Sequence, residues 1–150
     1  MAPDRCVFCE IVEGSRSQEI VYSDGTVVAF LCEPPATWGH LLVVTREHRP
    51  DIWAIAPDEA AATMAAAHLL ASVVRDELGA TGINLRQNSG TGAGQDVLHF
   101  HLHVVPRYED DTVQPGCVWG APPWEAPPGG EPERRRVAEA IRRGVATLQA

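Results

Sequence analysis

The chain has 150 residues, 45% hydrophobic and 21% charged, with a formal net charge of −8. That length suits one domain with a sizeable core, and the negative balance argues against broad electrostatic binding of nucleic acid. All 12 basic residues are arginine, which excludes Schiff-base chemistry and a P-loop lysine. No apolar run reaches the ~18 residues that a membrane span needs, and Met1 to Glu10 has no apolar leader. A cytoplasmic protein without nucleic-acid or membrane partners is expected.

The first motif is Cys6-Val-Phe-Cys9. Its spacing suits two thiolates on one metal, with histidines from elsewhere completing the site and His48 the best remote candidate. A redox pair is the rival, weakened because the motif does not follow a strand at a helix start. Residues 21–22 and 27–31 flank Ser23-Asp24-Gly25-Thr26, whose Asp-Gly pair signals a hairpin. Residues 40–45 read as a third strand, opened by His40 after Trp38-Gly39.

A helix is predicted next, with Pro57 in its first turn, Asp58 and Glu59 at its positive end, an alanine-rich body to Leu78, and Gly79 closing it. Met64, Leu70, Val73, Val74 and Leu78 form its expected core stripe. His68 reads as a packed or surface residue. Residues 82–88 read as a fourth strand. Asn88-Ser-Gly-Thr-Gly-Ala-Gly-Gln95 then offers either a flexible turn or a phosphate cradle of backbone amides, flanked by two side-chain amides.

Residues 99–107 read as a fifth strand, in which His99, His101 and His103 alternate with Phe100, Leu102 and Val104. Alternation predicts three imidazoles on one face and apolar partners in the core behind them. Such a row can supply a nucleophile, a proton shuttle and a metal ligand, or converge on one catalytic metal; the bland alternative is a solvated polar face. From Asp110 to Gly130 the chain turns Pro- and Gly-rich, with Trp119 and Trp124, and reads as irregular. Residues 131–148 read as a helix with Val137, Ile141, Val145 and Leu148 on one stripe, and arginines 134–136, 142 and 143 on a solvated face. Cys32 and Cys117 have no partner that sequence identifies.

The run Asn88-x-Gly-x-x-Ala-Gly-Gln95-x-Val-x-His99-Phe-His101-Leu-His103-Val-Val-Pro-Arg107 resembles the histidine-triad (HIT) family. So do Cys6-x-Phe-Cys9-Glu-Ile-Val-x-Gly14, Ala29-Phe30 and Gly39-His40-x-Leu-Val-Val. The resemblance implies an α+β, HIT-like fold: a five-stranded antiparallel sheet with one long helix and a C-terminal helix. Residues 1–110 would form the catalytic domain and 111–150 would belong to it, and the chain would be a homodimer.

It further implies a nucleotide hydrolase or nucleotidyl transferase that cleaves a purine nucleoside phosphoramidate, an adenylylated compound or a dinucleoside polyphosphate. His101 would attack the α-phosphorus, His103 would contact the phosphate, and His40 would orient His101. Asn88, Gly94, Gln95 and Asp96 would bind the phosphate or the leaving side. Structural zinc would sit on Cys6, Cys9, His48 and His99.

Two positions and the Trp- and Pro-rich tail depart from the family pattern. Cys32 stands where an aspartate commonly grips ribose, and strand alternation predicts that adjacent Glu33 faces away. Asp96 stands where many members carry a hydroxyl. Cys32 and Asp96 motivate the alternative of a nucleotide- or metabolite-binding module, or a specialised biosynthetic enzyme, that keeps the triad without ordinary turnover.

Overall fold

The computed structural model describes residues 6–111 and 126–150. The strands are β1 (Ile20–Ser23), β2 (Val27–Leu31), β3 (Leu41–Thr45), β4 (Gly82–Arg86) and β5 (His101–Arg107), and the helices α1 (Val7–Glu13), α2 (Pro57–Leu78) and α3 (Gly130–Gln149). The strands form one antiparallel sheet in the order β1-β2-β3-β5-β4. This is the expected α+β arrangement. Trp119, Trp124 and Cys117 lie outside the described residues, as does most of the segment read as irregular. No helix among the described residues is long and apolar enough to cross a membrane.

Strand alternation divides the sheet into two working faces. Val27, Ala29, Leu31, Leu41, Val43, Leu102 and Val104 point to one side, where Leu70, Val73 and Val74 of α2 and Val137, Ile141 and Val145 of α3 complete the main core. Val28, Phe30, Leu42 and Val44 point to the other, under Phe8 and Ile11 of α1. The register pairs Leu42 with His103 and Val44 with His101, so these two imidazoles share the α1 face. The sheet thus separates the helical core from the histidines.

The hairpin turns as its sequence predicts, with Asp24 Oδ1 accepting the N–H groups of Thr26 and Val27 at 2.7 and 2.8 Å. Helix α2 begins at Pro57, where the Glu59 carboxylate accepts the Ala56 N–H at 2.7 Å, and Gly79 closes it. Several expectations need correction. β5 starts at His101 rather than His99, because the Phe100 N–H donates to the Arg49 carbonyl at 2.6 Å and leaves the ladder. His40 precedes β3, and β4 ends at Arg86. Met64 and Leu148 are 54% and 48% exposed, so neither belongs to the core stripe. Arg134 is buried, unlike Arg135, Arg136, Arg142 and Arg143. Helix α1 lacked an expectation; Cys6 is its N-cap, so the Cys-x-x-Cys pair does open a helix.

Candidate active site and metal cluster

Hydrogen-bond partners assign the tautomers of the histidines on the α1 face. His40, fully buried, accepts the Ala36 N–H at Nδ1, 3.0 Å away, so its own proton sits on Nε2. That proton is donated to His103 Nδ1 at 2.9 Å, which fixes the His103 proton on Nε2. A backbone donor therefore sets the direction of a two-ring relay. Burial holds His40 well below the ordinary histidine range, and burial with the neighbouring charges of His101 and Arg86 brings His103 to about 3.

His101 is oriented from the opposite side. Its Nδ1 donates to the His99 carbonyl at 2.7 Å, leaving the lone pair of the neutral ring on Nε2. Phe8 packs edge-on against it with ring centres 5.1 Å apart. Asp96 Oδ1 lies 3.6 Å from His101 Nε2, and a proton on that nitrogen, together with the Val97 N–H, lowers the Asp96 carboxyl to about 2 against the burial that would raise it.

His101, His103 and Asp96 line a cavity of about 500 Å³. Phe8, Ile11, Phe30 and Leu42 give it apolar walls. Arg134 enters from α3, pairs with Glu33 at 2.8 Å, and reaches toward the Leu31 and Cys32 carbonyls. Both Cys32 and Glu33 line the cavity, which overturns the expected outward direction of Glu33: β2 has ended at Leu31, so strand alternation no longer applies. Cys32 is a neutral thiol, pushed up to about 12 by burial and by Asp96. Arg134 was discoverable in principle, since it stands three residues before Val137 on the buried stripe of α3.

Asn88, Gly94 and Gln95 lie beside this cavity and are not among the residues that line it. Gln95 uses its amide on the scaffold: Oε1 accepts the Gly90 N–H at 2.7 Å, and Nε2 donates to the Pro50 and Val97 carbonyls at 2.6 and 2.9 Å. Asn88 reaches the Gly94 carbonyl at 3.4 Å, across a turn that Gly94 closes with φ of 82°. The glycine segment is thus a braced turn next to the histidines.

His99 belongs to a different cluster. Its Nε2 donates to the Thr45 carbonyl at 2.7 Å, so its Nδ1 lone pair faces Cys6 and Cys9 Sγ at 3.4 and 3.5 Å, and His48 Nδ1 lies 3.4 Å from Cys9 Sγ. Zinc–sulfur and zinc–nitrogen bonds of about 2.3 and 2.0 Å in a tetrahedron place S and N about 3.5 Å apart. The four donors match that spacing, and the Thr45 carbonyl orients the His99 ring as an outer partner. Burial and the neighbouring Cys6 raise the Cys9 thiol to about 12, opposite to the activated thiol of a redox pair. Because His99 turns to the cysteines, the three triad rings do not converge on one ion. Cys32, His40 and His103 also lie close together. A metal on His40 Nε2 would force that ring's proton onto Nδ1, against the Ala36 N–H, so this second group does not fit an ion.

The family model of the HIT domain matches residues 13–110. A zinc-bound histidine-triad family protein from Mycobacterium smegmatis superposes with a TM-score of 0.82 at 32% identity, covering 96% of this chain and 95% of that one. The protein named Protein hit of Bacillus subtilis is 36% identical over 117 residues, 77% of this chain and 79% of its own length. The adenylylsulfatase HINT3 of Arabidopsis thaliana is 31% identical over 116 residues, 77% of this chain and 56% of that protein. Together with the strand order and the alternating histidines of β5, these similarities show that the chain belongs to the HIT domain family of nucleotide-binding hydrolases and transferases.

Proposed function

We propose that the chain is a nucleotide hydrolase or nucleotidyl transferase in which His101 Nε2 attacks an α-phosphorus. The observation that carries this reading is the placement of the His101 proton on Nδ1, bound to the His99 carbonyl, with Nε2 at the cavity. The Nε2 lone pair forms the N–P bond while the leaving group departs with its electron pair. Water then attacks phosphorus and returns the pair to the ring, so one difficult displacement becomes two. His103, neutral and with its proton fixed on Nε2 by His40, donates to a phosphoryl oxygen. A purine base suits the walls formed by Phe8, Ile11, Phe30 and Leu42.

Zinc on Cys6, Cys9, His48 and His99 supplies no chemistry to the reaction; when bound it cross-links α1 to the segment before β5. The same residue, His99, carries the carbonyl that orients His101, so the cluster positions the nucleophile through the backbone. Asn88, Gly94 and Gln95 act as positioning residues for the adjacent turn, and Asp96 contacts the leaving side.

An adenosine 5′-phosphoramidate labelled at phosphorus should leave an acid-labile adduct on His101, and His101→Ala should lose at least about 10³-fold in turnover, as removal of a covalent nucleophile does. A fully active His101→Ala protein rejects the reading. The ionised Asp96 beside Nε2 favours a second one: calorimetric binding of adenosine monophosphate with no adduct and no turnover would mark a binding module.

A further inference from the structure

We propose that the ion pair between Glu59 and Arg49 is a positioning device for His101, acting through a single peptide plane. Its consequence for the reaction rests on nucleotidyl transfer through His101. The peptide that joins His99 to Phe100 carries two hydrogen bonds: its N–H donates to the Arg49 carbonyl at 2.6 Å, and its C=O accepts the His101 Nδ1–H at 2.7 Å. A trans peptide is planar and stiff, with N–H and C=O pointing in opposite directions, so the acceptor at one end sets where the other end aims. Turning the plane away would release the Nδ1 proton and let the neutral ring carry it on Nε2, with no lone pair left to face phosphorus. Asp96 Oδ1, 3.6 Å from Nε2, favours that misplaced proton, so the hold on Nδ1 works against an opponent.

Two features hold the Arg49 carbonyl still. Pro50 follows it, which disfavours helical backbone at Arg49, and the Pro50 carbonyl is itself bound by Gln95 Nε2 at 2.6 Å. The side chain supplies the second: Arg49 Nε lies 3.2 and 3.1 Å from the two Glu59 oxygens, and Glu59 Oε2 also accepts the Ala56 N–H at 2.7 Å. Glu59 sits in the first turn of α2 and is buried, so the anchor is the body of the long helix. A carboxylate that takes both a guanidinium and a backbone N–H makes charge-assisted bonds, stronger than neutral ones. The order of support is therefore α2, Glu59, Arg49, the peptide between His99 and Phe100, and His101. Neither Glu59 nor Arg49 lines the cavity, so both act through the ring and touch no substrate.

The test follows the His101 ring nitrogens by NMR, and turnover of an adenosine 5′-phosphoramidate, in the unmodified chain, Glu59→Gln, Arg49→Ala and Arg49→Lys. The His101 signals are those absent from His101→Ala. Glutamine keeps an acceptor for the Ala56 N–H and removes the charge facing Arg49; alanine removes the same pair from its partly exposed side and carries the test if Glu59→Gln fails to fold. The unmodified ring should hold its proton on Nδ1 alone. Glu59→Gln and Arg49→Ala should both show a mixture of tautomers and lose about 5- to 10-fold in kcat, the size of one hydrogen bond, with KM moved by less than about twofold. Arg49→Lys, which keeps the charge pair, should recover most of that loss. A pair that serves folding alone would lower the urea midpoint and leave tautomer and kcat unmoved, and that result overturns the inference; so does a loss confined to KM. Unmoved tautomers with His101 still labelled overturn this inference alone. An unmodified chain that is never labelled overturns the His101 reading, and the tautomer comparison then still decides the positioning.

Discussion

His40 is fully buried and has only one proton to place, and the Ala36 N–H decides where it goes. The relay to His103 needs both rings neutral: a second proton on His40 would face the Ala36 donor, and one on His103 would face the His40 proton. The shifts have a definite sign. His40 is lowered well below the ordinary range and His103 lies at about 3, so as pH falls below about 6.5 the unfolded chain binds protons at both positions that the folded chain refuses, and for His103 this window reaches down to about pH 3. Stability contributed by the neutral rings is therefore present above the unfolded value and lost as pH falls below it. Each ring adds a slope of up to about 1.4 kcal/mol per pH unit in that window. Urea unfolding at a series of pH values should show the midpoint falling as pH drops below about 6.5, with a shallower fall in His103→Gln. A midpoint flat from pH 7 to pH 5 would show that these rings accept protons in the fold.

Helices α2 and α3 meet where Gly144 has no side chain: a Cβ there would come within 2.6 Å of Val73 Cγ1 and 2.8 Å of Glu77 Cγ. Gly144→Ala should therefore cost about 1–3 kcal/mol by overpacking, read as a lower urea midpoint, while His101 labelling persists because the sheet lies between. An unchanged midpoint would mean that the two helices separate freely. The same contact explains what the sequence of these helices hides. In α2 the buried positions include Ala66 and Ala67, which carry no size signal, so Met64 looks like a core residue although it faces outward. In α3 the spacing of 137, 141 and 145 marks the buried stripe, but charge alone assigns Arg134 to solvent; it is buried where the carbonyls of Leu31, the last residue of β2, and of Cys32 beyond it lie within its reach and Glu33 pairs with it. Strands β2, β3 and β5 are readable from composition and alternation, and the β5 pattern gives the direction of His101 and His103. His99 escapes because period two cannot see that Phe100 leaves the ladder. Helix α1, with 7 residues, is too short for periodicity to reveal.

The two edges of the sheet are treated differently, and this bears on assembly. On the β1 side α3 packs alongside, and Arg142 Nε donates to the Ile20 carbonyl at 2.9 Å. On the β4 side no further strand follows among the described residues, and Ile83 and Leu85 are 36% and 37% exposed. A depression of about 310 Å³ runs from Ile83 and Gly82 to His68, Ala71 and Ser72 on α2, and Met64 lies one turn before His68 on the same helix. An open edge with apolar side chains is a site for pairing with another chain, and a two-fold axis there would bring the same residues of two copies together. Like-charged copies, each at −8, need apolar burial to associate, and β4 with the outer face of α2 offers it. The chain is expected to sediment at twice its 16.2 kDa, with Leu85→Lys shifting it to the single mass by placing two charges across the pairing. Because His101 and Asp96 lie on the α1 face, the monomeric variant should still form the His101 adduct. A single 16.2 kDa species from the unmodified chain at tens of micromolar would leave β4 as a bare edge and remove the case for pairing there.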